Sequence, residues 1–432
     1  MASTYLTRTP SSNGNRKTWT FSAWCKVQKD SNETIFDVGT NGSNNYTPFF
    51  FQNDQTIRLY EVVGGTLQSY NLITNRKFRD RNAWYHLVYR VDTTQSTASD
   101  RIRLYVNGVQ ETSFSTAAYP AQNYDTLKNS TSYANVIGVA ADNYGANFYD
   151  GLMSHVHFCD GYSYAPTEFG ETDSTTGEWK IKTSPNVQYG TNGFFILKDG
   201  NSVTDQSGNS NNFTVGGGTL TKTEDNPSNV FATLNPLVPD AGSSGLFHGN
   251  NQLNVNTANW RSAFSTLGMS SGKFYFESYI EAGGYIHIGA RGVEQSDGSL
   301  AGNNDWIGVT SQGWSYDKTG EIRNNNSSVA SGKATYGNTD IIGCLLDLDN
   351  WTINWTKNGT LINSTAYSIT QNLTYVFGVS GHSTARIRTN FGNGYFQTTA
   401  VSSAGSNASG LGIFEYDVPT GYTALCTKGL NL

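Results

Sequence analysis

One stretch constrains this chain more than any other: Ile341–Leu361, IIGCLLDLDNWTINWTKNGTL. Its first run, Ile341–Leu348, is almost wholly apolar and stops at Asp349-Asn350, a pair that tolerates the tight backbone of a turn. Its second run, Thr352–Thr356, alternates, which sets Ile353 and Trp355 on one face of a strand. That run stops at Asn358-Gly359, a dipeptide that accepts the positive φ values of a hairpin turn. The stretch therefore reads as buried strand, turn, strand, turn. A core hairpin needs a second sheet to cover it. Ile341, Cys344, Leu345, Ile353 and Trp355 are expected in that core.

The remainder is written in the same style. Aromatic and β-branched residues favour strands, while Gly and Asn favour tight turns. The chain has 46 Gly, 25 Tyr and 22 Phe, and it lacks long runs of Ala, Leu, Glu and Lys. An all-β protein follows. Its 432 residues are too many for one core and suit two domains of about 200. The net charge is -6 with 14% charged residues. No Lys/Arg cluster forms a phosphate-tracking face, so nucleic acid is not an expected partner. No run of about 18 apolar residues exists, so no membrane insertion is expected. The start, MASTYLTRTPSSNG, lacks the apolar core of a signal peptide. Cys25, Cys159, Cys344 and Cys426 are far apart with no C-x-x-C and read as buried free thiols, although disulfides stay possible.

Strand patterns recur through the first half. Trp19–Val27 sets Trp19, Phe21 and Ala23 on one face and Thr20, Ser22 and Trp24 on the other. Asp54–Val63 patterns around Ile57, Leu59 and Glu61, and Trp84–Asp92 alternates through Tyr85, Leu87, Tyr89 and Val91. Arg101–Val106 ends at Asn107-Gly108. Such spacing, with polar turns between strands, suggests a sandwich. The succession WTFSAW, NAWYHLVYRVDTT, RIRLYVNGVQ and VIGVAADNYGANFYDGLMSHVHF resembles the laminin-G-like, concanavalin-A-like jelly roll over roughly Tyr5–Gly170. Trp84/His86, Tyr105/Asn107/Gly108 and Phe148/Gly151 carry the likeness. One departure is that Phe194–Val215, which looks like an opening strand and D-x-S-G-N turn, comes last here. It either closes the first sandwich or begins a fragment shared with the next domain.

Asp225–Asn259 holds Pro227, Pro236, Pro239 and the run Asp240–Gly245, and reads as a connector laid over a surface. Beyond it, Gly272–Glu281 places Phe274, Phe276, Ser278 and Ile280 on one face and Tyr275, Glu277, Tyr279 and Glu281 on the other. GKFYFES, IHIGA, GWSYDKTGEI, the Ile341–Gly359 hairpin and NFGNGYF together resemble the SPRY domain over about Ser271–Phe396. That resemblance implies a β-sandwich that binds partners with loops at one edge and is not a catalyst. Trp351 departs from it, standing at a hairpin tip where the family usually has a small residue, so it needs another reason, either packing under a neighbouring loop or contact with a partner. Gly412–Leu425 is expected to lay a last strand back on this domain. The expected architecture is two tandem antiparallel β-sandwiches, a jelly roll followed by a SPRY-type sandwich: 1–224, a connector over 225–259, and 260–432.

Candidate chemistry is sparse. Glu277 and Glu281 share a face, but they lie roughly 13 Å apart along a strand. A retaining glycosidase pair needs about 5–5.5 Å and an inverting pair about 6.5–9.5 Å. They read as exposed strand carboxylates. His155 and His157 have a spacing that could hold a metal, without an evident third ligand. His86 reads as a packed position. No Ser/His/Asp set or G-x-S-x-G emerges, and Gly216–Gly218 precedes no helix pattern, so no catalytic residue is assigned. Asp347 and Asp349 look like a calcium pair but read as hairpin-end architecture. Laminin-G-like folds often hold calcium at a sandwich rim, and the resemblance points to Asp142, with Asn143, as oxygen ligands to test. No other cofactor is implied. Aromatic side chains in Asn-rich loops suit the apolar C–H faces and hydroxyls of sugars. The candidate binding loops are Asn44–Tyr46, Asp142–Tyr144, Asn303–Trp306 and Asp349–Trp351, with Asn44, Tyr46, Asn143, Tyr144, Asn303, Trp306 and Trp351 as contacts.

The tandem, joined by the phrase DGYSYAPTEFGE…WKIK…YGTNGFFILKDGNS…DQSGNSNNFTV, resembles structural proteins of tailed marine bacteriophages. The resemblance implies a non-enzymatic virion surface protein, made in the host cytoplasm and released by lysis, as a tail fibre or tip component or a head decoration. Its partners would be other virion proteins and a host-surface glycan or protein receptor. It would form a homo-oligomer, with a trimer as the default for fibres. Two alternatives stand beside this reading: a purely structural capsid or appendage protein without ligand, and a polysaccharide-degrading jelly-roll enzyme.

Overall fold

In a computed structural model the chain divides into two units, Met1–Lys222 and Thr223–Leu432. The structure describes all residues except 1–2, 28–30, 81–82, 199–201, 237–244, 248–249, 294–304, 398 and 432. Among the described residues there are no α-helices, and no helix is long and apolar enough to cross a membrane. Both units are all-β and antiparallel almost throughout, two packed sheets in each.

In the first unit, among the described residues, an eight-stranded sheet runs edge to edge through Phe114–Ala118, Thr66–Thr74, Ile57–Val63, Phe49–Phe51, Glu33–Gly39, Ala134–Ile137, Tyr5–Arg8 and Thr214–Gly217. A six-stranded sheet faces it: Phe194–Ile196, Gly151–Asp160, Thr18–Val27, Tyr85–Asp92, Ile102–Val106 and Val109–Glu111. The Phe194–Val215 stretch thus lies wholly in the first unit. Its ends pair with Val156–Phe158 and with Tyr5–Thr7, so it closes an edge of each sheet. Alternation holds as expected, since Trp19, Phe21, Ala23, Tyr85, Leu87, Tyr89 and Val91 all enter the core. The other face of these strands is also covered. Trp24 and Trp179 sandwich His86, with ring centroids at 4.9 and 5.9 Å. His86 bonds Ser22 Oγ and accepts from Trp179 Nε1. Burial pushes this imidazole down to about 3, which keeps it neutral and structural.

In the second unit, Arg386–Asn390, Lys273–Ala282, Ile341–Asp347 and Thr352–Lys357 form the centre of one sheet. Thr257–Phe264, Thr374–Ser383, Tyr285–Val293 and Gly313–Asp317 lead the other. The hairpin forms in register, Cys344 opposite Trp355 and Leu346 opposite Ile353. Ile342, Cys344, Leu346, Ile353 and Trp355 point into the core between the sheets. Trp355 also donates from Nε1 to Ile288 O in the opposite sheet, at 2.9 Å. The near-continuous apolar run has a second cause. Leu345 and Tyr275, on the outer face, pack with Phe231, Phe414, Val418, Ala424 and Cys426 in a separate apolar cluster. Thr423–Ala424 adds as a parallel strand beside Phe274–Tyr275, so the late segment does lie back on this unit. A strand buried on both faces reads as unbroken hydrophobicity. All four cysteines are buried and unpaired.

The expected connector needs correction. Ala232, Leu234, Leu253 and Val255 belong to the second core, and Phe231 to its outer cluster. Gln252–Asn254 pairs with Arg386–Arg388, and the Thr257–Phe264 strand starts inside the expected linker. A polar segment with single apolar residues can join a sheet edge through its backbone, and composition does not register that. The Asp240–Gly245 run lies almost entirely outside the described residues.

At the hairpin tip the two acids are hairpin-end architecture. Asp347 Oδ1 accepts from the amides of Asp349 and Asn350, and Asp347 pairs with Lys273 at 2.9 Å. Asp349 accepts from Gly272 N. These two carboxylates thus build the turn. The positive φ falls on Trp351, at 53°, and its half-buried ring packs against the core. A left-handed L-residue costs roughly 1–2 kcal/mol, which glycine avoids. Trp351→Ala loses the packing and keeps the strain, whereas Trp351→Gly loses the packing and relieves it. Urea unfolding should therefore find the glycine variant the more stable of the two by about 1 kcal/mol; equal stabilities would refute the strain.

Candidate ligand-binding rim of the first sandwich

The strand Glu33–Gly39 ends in a loop that returns at Tyr46, which bridges to Gly39 and Val62. A second loop, beginning at Ala141, lies against it: Gly42 N donates to Asp142 O at 2.8 Å, and Tyr144 N to Asn41 Oδ1 at 3.2 Å. On the other flank Gly65 N donates to Asn44 O and Gly64 N to Asn45 Oδ1, both at 2.9 Å. Two candidate loops far apart in sequence thus become one rim. Asn44 and Asn143 are exposed on it, and Tyr46, Asp142 and Tyr144 are half-buried. The tyrosine rings are braced from below. Tyr46 meets Tyr60 edge-on at 6.1 Å, and Arg58 lies 4.2 Å over the Tyr60 ring. Tyr144 tilts against Tyr5 at 5.1 Å. Burial, and for Tyr46 the nearby Asp142, push both phenols above their ordinary value, so each remains a hydroxyl donor.

A residue that sequence reasoning missed ties the rim together. Asp37 is fully buried, yet Oδ1 accepts from Val38 N at 2.7 Å and Thr47 N at 2.9 Å, and Oδ2 from Ala141 N at 2.9 Å. Thr47 closes the first loop and Ala141 opens the second. One carboxylate therefore holds both loop bases. Beneath them lies a buried cation: Lys128 Nζ donates to Thr47 O at 2.9 Å and sits 4.8 Å over the Phe36 ring. Glu61, also buried, accepts from Tyr124 Oη and Leu127 N. Burial pushes Asp37 up to about 7, opposed by its amide donors and Lys128. Burial pushes Lys128 down to about 8, opposed by Asp37 and Glu61. The available signal was an acid inside the apolar strand TIFDV. Lys128, in a polar loop, gave none.

A calcium cage does not fit here. Calcium takes 6–8 oxygen ligands. Around Asp142, Asn41 Oδ1 and Asn143 Oδ1 already accept from backbone amides, as do both Asp37 oxygens. Among the described residues no three His, Cys, Asp or Glu side chains gather as metal ligands.

Asn303 lies outside the described residues. Trp306 is only 9% exposed and stacks on His287 at 4.2 Å, so it is not the open loop aromatic expected. Glu277 is not an exposed strand carboxylate: it is 0% exposed. Its oxygens accept from Glu415 N, Tyr416 N and Tyr275 Oη at 2.8, 2.9 and 3.1 Å. Glu281 pairs with Arg386 and Arg388. His155 and His157 do approach each other, at 6.5 Å, but His157 is clamped between Phe195 and Phe169 and bonds Tyr189 Oη.

Comparison with known proteins agrees with this architecture. Residues 2–168 match the family model of the Concanavalin A-like lectin/glucanases superfamily, and residues 273–394 match that of the SPRY domain. The chain carries one domain of each kind. A 103-residue stretch is 34% identical to the probable ATP-dependent RNA helicase ddx1 of Dictyostelium discoideum, covering 24% of this chain and 12% of that protein. A 101-residue stretch is 35% identical to ATP-dependent RNA helicase Ddx1 of Drosophila melanogaster, covering 23% and 13%. These matches are local and span about an eighth of each relative. Among solved structures, the SPRY domain of human HERC1 is similar at 16% identity and TM-score 0.27, over 36% of this chain and 96% of that one. The PSpry domain of TRIM65 is similar at 12% identity and TM-score 0.30, over 37% and 89%.

Proposed function

We propose that this chain is a non-enzymatic binding protein of a tailed-phage virion surface, and that the rim of its concanavalin A-like domain holds host-surface or environmental glycans. The observation that carries the reading is the convergence of Asn44, Tyr46, Asp142, Asn143 and Tyr144 on one rim whose loop bases share Asp37. Half-buried tyrosines offer ring faces to sugar C–H groups, and exposed Asn side chains reach hydroxyls. A preformed rim spares a ligand the cost of ordering loops. The virion setting rests on the resemblance of the 160–215 phrase to marine phage structural proteins, and a trimer is the assembly such a setting favours. A non-catalytic role is supported by Glu277, whose oxygens are spent on the chain's own donors.

A glycan array of host-derived polysaccharides tests this reading. Wild type should bind, and Tyr46→Ala and Tyr144→Ala should each weaken binding by about tenfold, the loss expected for one stacking ring. Binding to no polysaccharide would favour the ligand-free structural reading. Immunogold labelling of virions tests the location, and light scattering the trimer.

A further inference from the structure

The second unit carries an aromatic surface that the rim reading leaves unused. It lies on the outer face of the sheet built from Thr257–Phe264, Thr374–Ser383, Tyr285–Val293 and Gly313–Asp317. Tyr285 stands opposite His382 in register. Trp260 completes the shelf, 5.3 Å from His382 and 6.4 Å from Tyr285 between ring centroids. The inner end is closed by His287 and Trp306, stacked at 4.2 Å. The outer end is open: Tyr285 is 57% exposed, and Trp260 and His382 are half-buried.

Among the described residues a cation stands at the open end. Lys318 Nζ lies 5.3 Å from the Tyr285 ring and donates to Gly283 O, and it forms no ion pair among the described residues. The adjacent Asp317 does not neutralise it. Its Oδ1 accepts from Thr319 and Glu321 amides and its Oδ2 from Arg323 Nε. Arg323 in turn pairs with Glu321.

We propose that this shelf is a second carbohydrate site, selective for a pyranose ring that bears a carboxylate, that is, a uronic acid. Trp260 and Tyr285 offer ring faces to the sugar's C–H groups, and His382 can bond a hydroxyl. Lys318 offers the carboxylate a charge-assisted bond. A nucleic-acid strand would need a row of cations, and the shelf has one free cation among the described residues. A peptide surface would bring aliphatic anchors, and Tyr285 is the exposed apolar side chain here. The proposal does not rest on the rim of the first unit.

Calorimetric titration of the full chain with trigalacturonate, its methyl ester, and oligomannuronate and oligoguluronate tests it. At least one acidic trimer should bind. Tyr285→Ala should weaken that binding about tenfold, and Tyr285 is exposed enough for the variant to fold. Lys318→Gln should weaken the acid several-fold and leave the ester unchanged. Binding of none of the acids, or equal binding of acid and ester, overturns the proposal. Loss with Tyr46→Ala but not with Tyr285→Ala would also overturn it, and would leave the rim reading intact.

Discussion

Asp37→Ala is expected to destabilise the first unit by about 3–5 kcal/mol, the range for removing one partner of a buried charged network. The substitution strips the acceptor from Ala141 N, inside the protein, and leaves Thr47 N with the Val38 carbonyl alone; an unsatisfied buried donor costs about 1–3 kcal/mol. It also leaves Lys128 with Glu61 as its remaining attracting charge. Asp37→Asn should recover little, because its amide group would point a donor at backbone donors. Urea unfolding gives the magnitude, and hydrogen exchange at Ala141 gives the location. A loss under about 1 kcal/mol, with the Ala141 amide still protected, would mean that the loops are held by something else. Lys128→Met offers a contrast. It removes a buried charge but keeps the stem, so its cost should be the smaller of the two.

Glu277→Ala should cost the second unit about 3–4 kcal/mol, through two unsatisfied amides and a side-chain cavity. Exchange protection should fall first around Phe414–Tyr416, whose backbone this carboxylate holds. The pH dependence has a definite sign. Burial raises Glu277 from 4.5 to about 7, opposed by its three donors. The folded state therefore keeps a proton that the unfolded state has lost, so its contribution is fully present below about pH 4.5 and declines as pH rises to about 7. The decline is on the order of 3 kcal/mol at 1.36 kcal/mol per unit. Glu277→Gln should flatten that slope. An unchanged slope in the Gln variant would assign the pH dependence to Asp37, which is raised in the same direction.

The sandwiches were legible because their strands alternate or run apolar between strong turn signals. Asn107-Gly108 and Asn358-Gly359 both adopt positive φ at each residue, as that dipeptide forecasts. What stayed hidden depends on tertiary cover. Trp24 and His86 sit on an outer face, and the distant Trp179 helps to make that face interior. Glu277 obeys its strand's alternation and looks solvent-bound until the backbone at 415–416 arrives, 138 residues later. Two rim loops were singled out one by one. Their meeting depends on Asp37 reaching across 104 residues to Ala141, which no local pattern encodes. Trp306 failed as an exposed contact because a large ring in a polar loop folds back on any neighbour within reach.

The outer cluster around Tyr275 and Leu345 bears on how this domain can be excised. The family match spans 273–394, but the groups that roof those two side chains come from Phe231 on one side and from Phe414, Val418, Ala424 and Cys426 on the other. A fragment trimmed to the matched boundaries would bare a continuous oily strip along its central strands and strand the Glu277 carboxylate beneath it. Such a strip invites self-association. An expression boundary for this domain belongs before Phe231 and after Cys426, and a fragment trimmed more tightly should aggregate without saying anything about what the intact protein binds.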